Sequence, residues 1–257
     1  MDFEQHCAVI VEQTDLLRTA LVGADLTTPV PSCPGWNVGQ LARHLGGGQR
    51  WCAEVVGTRA SSPPSDEHFR DLSPYADEDP AVVGPWLGEG AALVAEALRS
   101  AGPSAELWTP LSGAGGTTKF WARRFAHETV VHRADAELAL GLEYSLDVSV
   151  AEDTLDEWME LGALPEMFDF HPAWRDLLGE GRTVHLHATD VAAEWVVDLT
   201  GEAITWRRAH EKCAVAVRGP LVELVLMVFG RRAPGERVEV LGDSGLLDFW
   251  VKTVAFG

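Results

Sequence analysis

Glu128 and His132 stand four residues apart in Phe120-Trp-Ala-Arg-Arg-Phe-Ala-His-Glu-Thr-Val-Val-His-Arg-Ala-Asp135, and Asp135 follows three later. On a helix this spacing puts the carboxylate and the imidazole on one stripe, one turn apart. Apolar Phe125, Val131 and Leu138 flank that stripe, which suits ligands aimed into a bundle core. Carboxylate-plus-imidazole helix motifs hold metals in other bundles. The plainer reading is a partly solvated pair or a satisfied core histidine. The segment is not a zincin motif: His127 and His132 are five apart and diverge by about 140° at about 100° per residue. Asp135 suits a residue that orients a ligand, or one that simply pairs with Arg133 or another nearby base.

A metal needs a ligand from elsewhere, and His44 is the best candidate. It lies in Trp36-Asn-Val-Gly-Gln-Leu-Ala-Arg-His-Leu-Gly-Gly-Gly48. Asn37 suits an N-cap. Val38, Leu41 and Leu45 form an apolar stripe with His44 beside it. Its plainer reading is a buried histidine bonded to a backbone carbonyl. The run Gly46 to Gly48 would weaken a helix by about 1 kcal/mol per residue. A helix that keeps it needs its backbone close to another element or a ligand. His185 and His187 alternate onto one sheet face and form a second possible metal pair, against the plainer reading of an open, solvated face. Cys33 sits in a Pro-Ser-Cys-Pro-Gly turn and reads as a loop cysteine of no special role, with a reactive thiol as the alternative.

The elements that must position these residues follow from periodicity. Residues 3–22, 37–56, 81–100 and 119–140 carry helical apolar spacing, and the four suggest a bundle. Residues 27–35, 57–80 and 102–118 are Pro-, Gly- and Ser-rich connections. A fifth helix over 148–163 leads to a linker at 164–182. The period then becomes two. Strands are predicted at 183–190, 193–199, 203–208, 213–217 and 237–241, with helices at 221–229 and 246–254. The expected fold class is α plus α+β: a helical bundle over 1–165, then a small α+β domain over 166–257.

With 257 residues, 46% of them hydrophobic, a substantial core is within reach. A net charge of −19 argues against nucleic acid or an anionic membrane as partner. No apolar run approaches the roughly 20 residues of a membrane span. The start, Met1-Asp-Phe-Glu-Gln-His6, lacks a basic region and an apolar signal core, so a cytoplasmic location is expected. Cys7, Cys33, Cys52 and Cys213 form no C-x-x-C pair and suggest neither a disulfide framework nor a thiolate zinc site.

The Cys33-Pro-Gly-Trp36 turn, the Leu41-Ala-Arg-His-Leu45 helix and the Arg124–Asp135 helix together resemble the mycothiol-dependent maleylpyruvate isomerase family of actinobacteria. Val184-His-Leu-His-Ala-Thr-Asp190 and Phe229-Gly-Arg231 extend the resemblance to the C-terminal half. The resemblance implies a DinB-like four-helix bundle followed by a domain similar to sterol carrier proteins. It implies a metal triad of His44, Glu128 and His132, and an arginine from the second domain, at Arg231 or the neighbouring Arg232, that reaches the bundle's site. Two imidazoles and one carboxylate are a common catalytic zinc set, with nickel and iron as alternatives. The implied cofactors are zinc and mycothiol. The implied reaction is reversible thiol addition to a cis double bond, rotation, and loss of the thiol. Thiol transfer to another small electrophile uses the same activated thiolate. A DinB-like metal-dependent hydrolase and a non-catalytic ligand-binding or regulatory protein stay open. The substrate and the oligomeric state are not legible.

Overall fold

The computed structural model describes residues 1–254. It forms two compact units, Met1–Tyr144 and Ser145–Gly257. The first is helical: α1 (Phe3–Leu21), α2 (Val38–Thr58), the single turn α3 (Glu67–Arg70), α4 (Pro80–Ala101) and α5 (Thr118–Ala139). Helices α1, α2, α4 and α5 make the bundle, with α2 on α4, and α1 on both α4 and α5.

Local chemistry starts these helices where the sequence places them. Asp2 accepts from the Gln5 amide at 2.8 Å, and Gln5 returns a bond to the Asp2 amide at 2.7 Å. Asn37 and Gln40 build the same reciprocal box at α2, with 2.9 and 3.0 Å bonds. Asp79 caps α4 ahead of Pro80, where the missing amide costs nothing. Leu17, Leu21, Leu41, Leu45, Val83, Leu87 and Ala136 close one core. By length and composition α4 passes as a possible membrane span, with a mean hydropathy of 1.2 over 18 residues. Reading uninterrupted apolar runs misses it because Glu89, Glu96 and Arg99 break the run. Here its buried face, Val83, Leu87, Ala91, Val94 and Leu98, packs inside the bundle.

The glycine run in α2 has the cause expected of it. A Cβ at Gly46 would stand 2.3 Å from the Trp86 ring of α4, and one at Gly47 would stand 2.4 Å from Phe69 Cβ. The Trp86 ring thus seats against bare backbone, with the Arg43 and Arg50 guanidinium groups 4.4 and 4.0 Å from its centre.

The second unit holds α6 (Val148–Gly162), the turn α7 (Met167–Phe170), β1 (Thr183–Ala188), β2 (Glu194–Asp198), β3 (Thr205–Arg207), β4 (Val215–Gly219), α8 (Leu221–Val228), β5 (Glu239–Gly242) and α9 (Ser244–Val254). The sheet order is β3-β2-β1-β4-β5, with β1 parallel to β4 and all other pairs antiparallel. Val184, Leu186, Trp195 and Val197 are buried on one face. The units divide earlier than the boundary at 165 read from the sequence. The reason is α6, which follows the bundle in sequence but packs on α8 and accepts the Trp195 indole N–H at Asp156, 2.9 Å away.

Candidate metal centre

Helix α2 presents His44 and helix α5 presents Glu128, His132 and Asp135. The His44 and His132 rings lie 5.3 Å apart at 87°. His132 Nε2 is 3.4 Å from Glu128 Oε2. The structure therefore brings the three expected ligands side by side within Met1–Tyr144.

Each imidazole has its other nitrogen engaged. His44 Nδ1 is 3.0 Å from the Phe69 carbonyl, so that nitrogen donates and Nε2 is left with its lone pair. His132 Nδ1 is 3.0 Å from Asp135 Oδ2. Metal-bound histidines are held in this way, by a carbonyl or carboxylate on the far nitrogen. Asp135 holds His132 in this way, while Arg133 lies 3.6 Å from Glu137 and over the Tyr144 ring. Glu128 divides its oxygens: Oε1 faces Arg124 at 3.2 Å and Oε2 faces His132.

The charges follow from this packing. Burial, then the neighbouring His132, pushes His44 down to about 4, so at neutral pH it is an uncharged imidazole. Burial opposes charge on Glu128, but Arg124 and His132 outweigh it and hold the carboxyl well below its usual range. Burial also opposes a charged His132, yet bonds to Asp135, Cys33 and Glu128 raise it well above the usual histidine value. A proton on Nε2, between His132 and Glu128, stands where a cation would bind, so metal entry displaces it. The set of two imidazoles and one carboxylate fits a divalent metal.

The loop over residues 27–35 completes the site. Ser32 donates to Asp135 at 2.6 Å, and Cys33 Sγ lies 3.7 Å from the same carboxylate. The sequence reading gave Cys33 no special role. Ser32 ties its turn onto α5, so Cys33, His132 and Asp135 offer donor atoms within 4.8 Å of one another. The Trp36 ring lies 4.7 Å from His44, tilted by 47°, and Phe69 lies 5.7 Å from it. None of these partners had a periodic signal in sequence, although the motif Cys33-Pro-Gly-Trp36 marked the loop. His127 is fully buried and edge-on to His6, with ring centres 6.0 Å apart.

Residues 7–137 match the family described as the mycothiol maleylpyruvate isomerase N-terminal domain, and residues 149–249 match the MDMPI C-terminal domain. The chain belongs to the mycothiol maleylpyruvate isomerase family. Its fold is similar to a crystal structure of the mycothiol-dependent maleylpyruvate isomerase, with a TM-score of 0.65, 15% identity and 93% of each chain covered. A histidine-to-alanine mutant of a mycothiol-dependent maleylpyruvate isomerase gives a TM-score of 0.62 at 16% identity, again over 93% of each chain. At these identities the likeness concerns the fold. No curated protein matches the chain in sequence.

In the second unit of this family member, Arg231 follows α8. Its amide bonds the Leu226 carbonyl at 2.7 Å and its Nη1 the Phe229 carbonyl at 2.6 Å. Arg232 is 3.3 Å from Glu223 and 3.8 Å from Glu236.

Proposed function

We propose that this chain is a metal-dependent enzyme that uses mycothiol, acting on a small electrophile as a maleylpyruvate-type cis-trans isomerase or as a thiol S-transferase. The observation that carries the reading is the engagement of both Nδ1 atoms, by the Phe69 carbonyl and by Asp135. It leaves each Nε2 as the atom for a metal once His132 gives up its proton, with His132 Nε2 3.4 Å from Glu128 Oε2. Two imidazoles and one carboxylate are a donor set that suits zinc with a position to spare. In this reading His44, Glu128 and His132 hold the metal. When bound, the metal supplies Lewis acidity and promotes ionisation of a thiol whose free pKa is about 8.5.

The chain's own residues do the positioning. Phe69 and Asp135 fix the two tautomers and ring orientations. Arg124 occupies Glu128 Oε1 and keeps the carboxylate ionised, so Oε2 stays available. Trp36 and Phe69 shield His44 from water and strengthen charge interactions there. Arg231 offers a guanidinium fork matched to a carboxylate of substrate or thiol.

The test is turnover of maleylpyruvate, with and without mycothiol, by metal-depleted and zinc-reconstituted protein. Activity that needs both zinc and mycothiol supports the proposal. Turnover that ignores the thiol, or ligand binding with no turnover on any thiol-acceptor pair, contradicts it.

A further inference from the structure

A second group of donors converges within Ser145–Gly257. His185 and His187 point from one face of β1, as their alternation requires, and Glu194 of β2 sits opposite His187 in the antiparallel register. His210 comes from the stretch after β3. Three imidazole nitrogens close on one carboxylate oxygen: His185 Nε2 at 2.7 Å, His187 Nδ1 at 3.2 Å and His210 Nδ1 at 2.6 Å from Glu194 Oε2. The four donor atoms lie within 4.8 Å of one another. The three rings stand 5.4–6.0 Å apart at 69–85°, so they radiate from a common centre rather than stack.

We propose that His185, His187, Glu194 and His210 bind a zinc ion. Tetrahedral zinc holds nitrogen and oxygen ligands at about 2.0–2.2 Å, which sets the ligands roughly 3.3 Å from one another. The nitrogen-to-oxygen separations here lie just inside that spacing, so small side-chain rotations admit the ion. Hydrogen bonding alone explains the cluster less well. One carboxylate oxygen has two lone pairs, and here three imidazoles converge on it. Four protein ligands leave no open position, which is the pattern of a structural zinc site rather than a catalytic one.

The site would clasp the 208–214 segment to the β1–β2 hairpin. Arg207 already anchors that segment, with Nε 2.8 Å from Glu211 Oε1 and a further contact to Asp198 at 3.6 Å. His185 is buried, whereas the His210 side chain is 77% exposed, so an ion can enter from solvent and be closed in by His210.

The test uses the full-length chain carrying His132→Ala, which disables the bundle's candidate centre and leaves this one intact. After chelator treatment and exposure to micromolar zinc, that protein is expected to keep one zinc per chain and to gain thermal stability from it. Adding His210→Ala, at an exposed position that leaves the circular dichroism spectrum unchanged, is expected to weaken zinc binding by at least about tenfold, a conservative scale for disturbing a metal site. His187→Gln is expected to do the same. The proposal is overturned if the His132→Ala protein takes up no zinc, or if its uptake and stabilisation survive both further substitutions.

Discussion

Asp135 and the Phe69 carbonyl do the same work on two histidines, and this makes their contribution measurable. Removing the charge in Asp135→Asn weakens the hold on His132 Nδ1 while keeping the side-chain shape. Metal affinity is expected to fall about 10–100-fold, the usual effect of losing such a partner, read by competition with a chromophoric chelator. Unchanged affinity would deny Asp135 its orienting role. Arg231→Ala is expected to lower kcat/KM for a carboxylate substrate by about 10–100-fold, matching the roughly 1.5–3 kcal/mol of charge-assisted hydrogen bonds. Arg232→Ala, which only releases Glu223 and Glu236, should leave it within a few-fold. Equal losses in steady-state kinetics would reject the choice between the two. Helical spacing groups Glu128 with His132 and sets His44 beside an apolar stripe, and the family resemblance joins the three as an expected triad. Their partners were not. Ser32 reaches Asp135 across 103 residues from a loop without period. Likewise the alternation of His185 and His187 was readable, but Glu194 and His210 join them through strand register and a loop path that spacing does not encode.

The helices and strands were legible nearly to their ends, because the Asn37 cap and a clean change of period mark them, while the caps Asp2 and Asp79 emerge only in the structure. The single turns α3 and α7 fell within stretches read as connections, since four residues carry no periodic signal. The place of α6 was misjudged from sequence because an amphipathic helix does not name the element that covers it. The glycines of α2 separate packing from propensity. Gly46→Ala gains intrinsic helix preference but drives a Cβ into Trp86, so a net loss of about 1–3 kcal/mol is expected. Gly57, in the same helix, has nothing within 4 Å of a new Cβ, so Gly57→Ala should stabilise by up to about 1 kcal/mol. Chemical denaturation of both variants checks this, and a stabilised Gly46→Ala would refute the close seat of Trp86.

The whole molecule should fail in alkali through its buried acids. Burial raises the Tyr144 phenol from 10.0 to about 12, and its hydroxyl donates to the Val130 carbonyl at 3.1 Å. Burial raises the Cys7 thiol from 9.0 to about 11. Both groups lose protons first in the unfolded chain. Their stabilisation is therefore complete below pH 9 and is lost as pH rises from 9 to 12. Tyr144→Phe is expected to cost about 0.5–1.5 kcal/mol near neutrality through the lost hydrogen bond and to flatten the decline between pH 10 and 12. A wild-type denaturation midpoint that holds steady from pH 9 to 12 would contradict this. The most direct test of the account is metal content by elemental analysis in purified wild-type protein, His132→Ala and His44→Ala. One divalent metal per chain fewer in both variants than in the wild type, the ion at His185, His187, Glu194 and His210 being kept, together with loss of mycothiol-dependent turnover, is the expected result. Variants that keep the wild-type metal content and turnover would contradict the assignment of His44, Glu128 and His132.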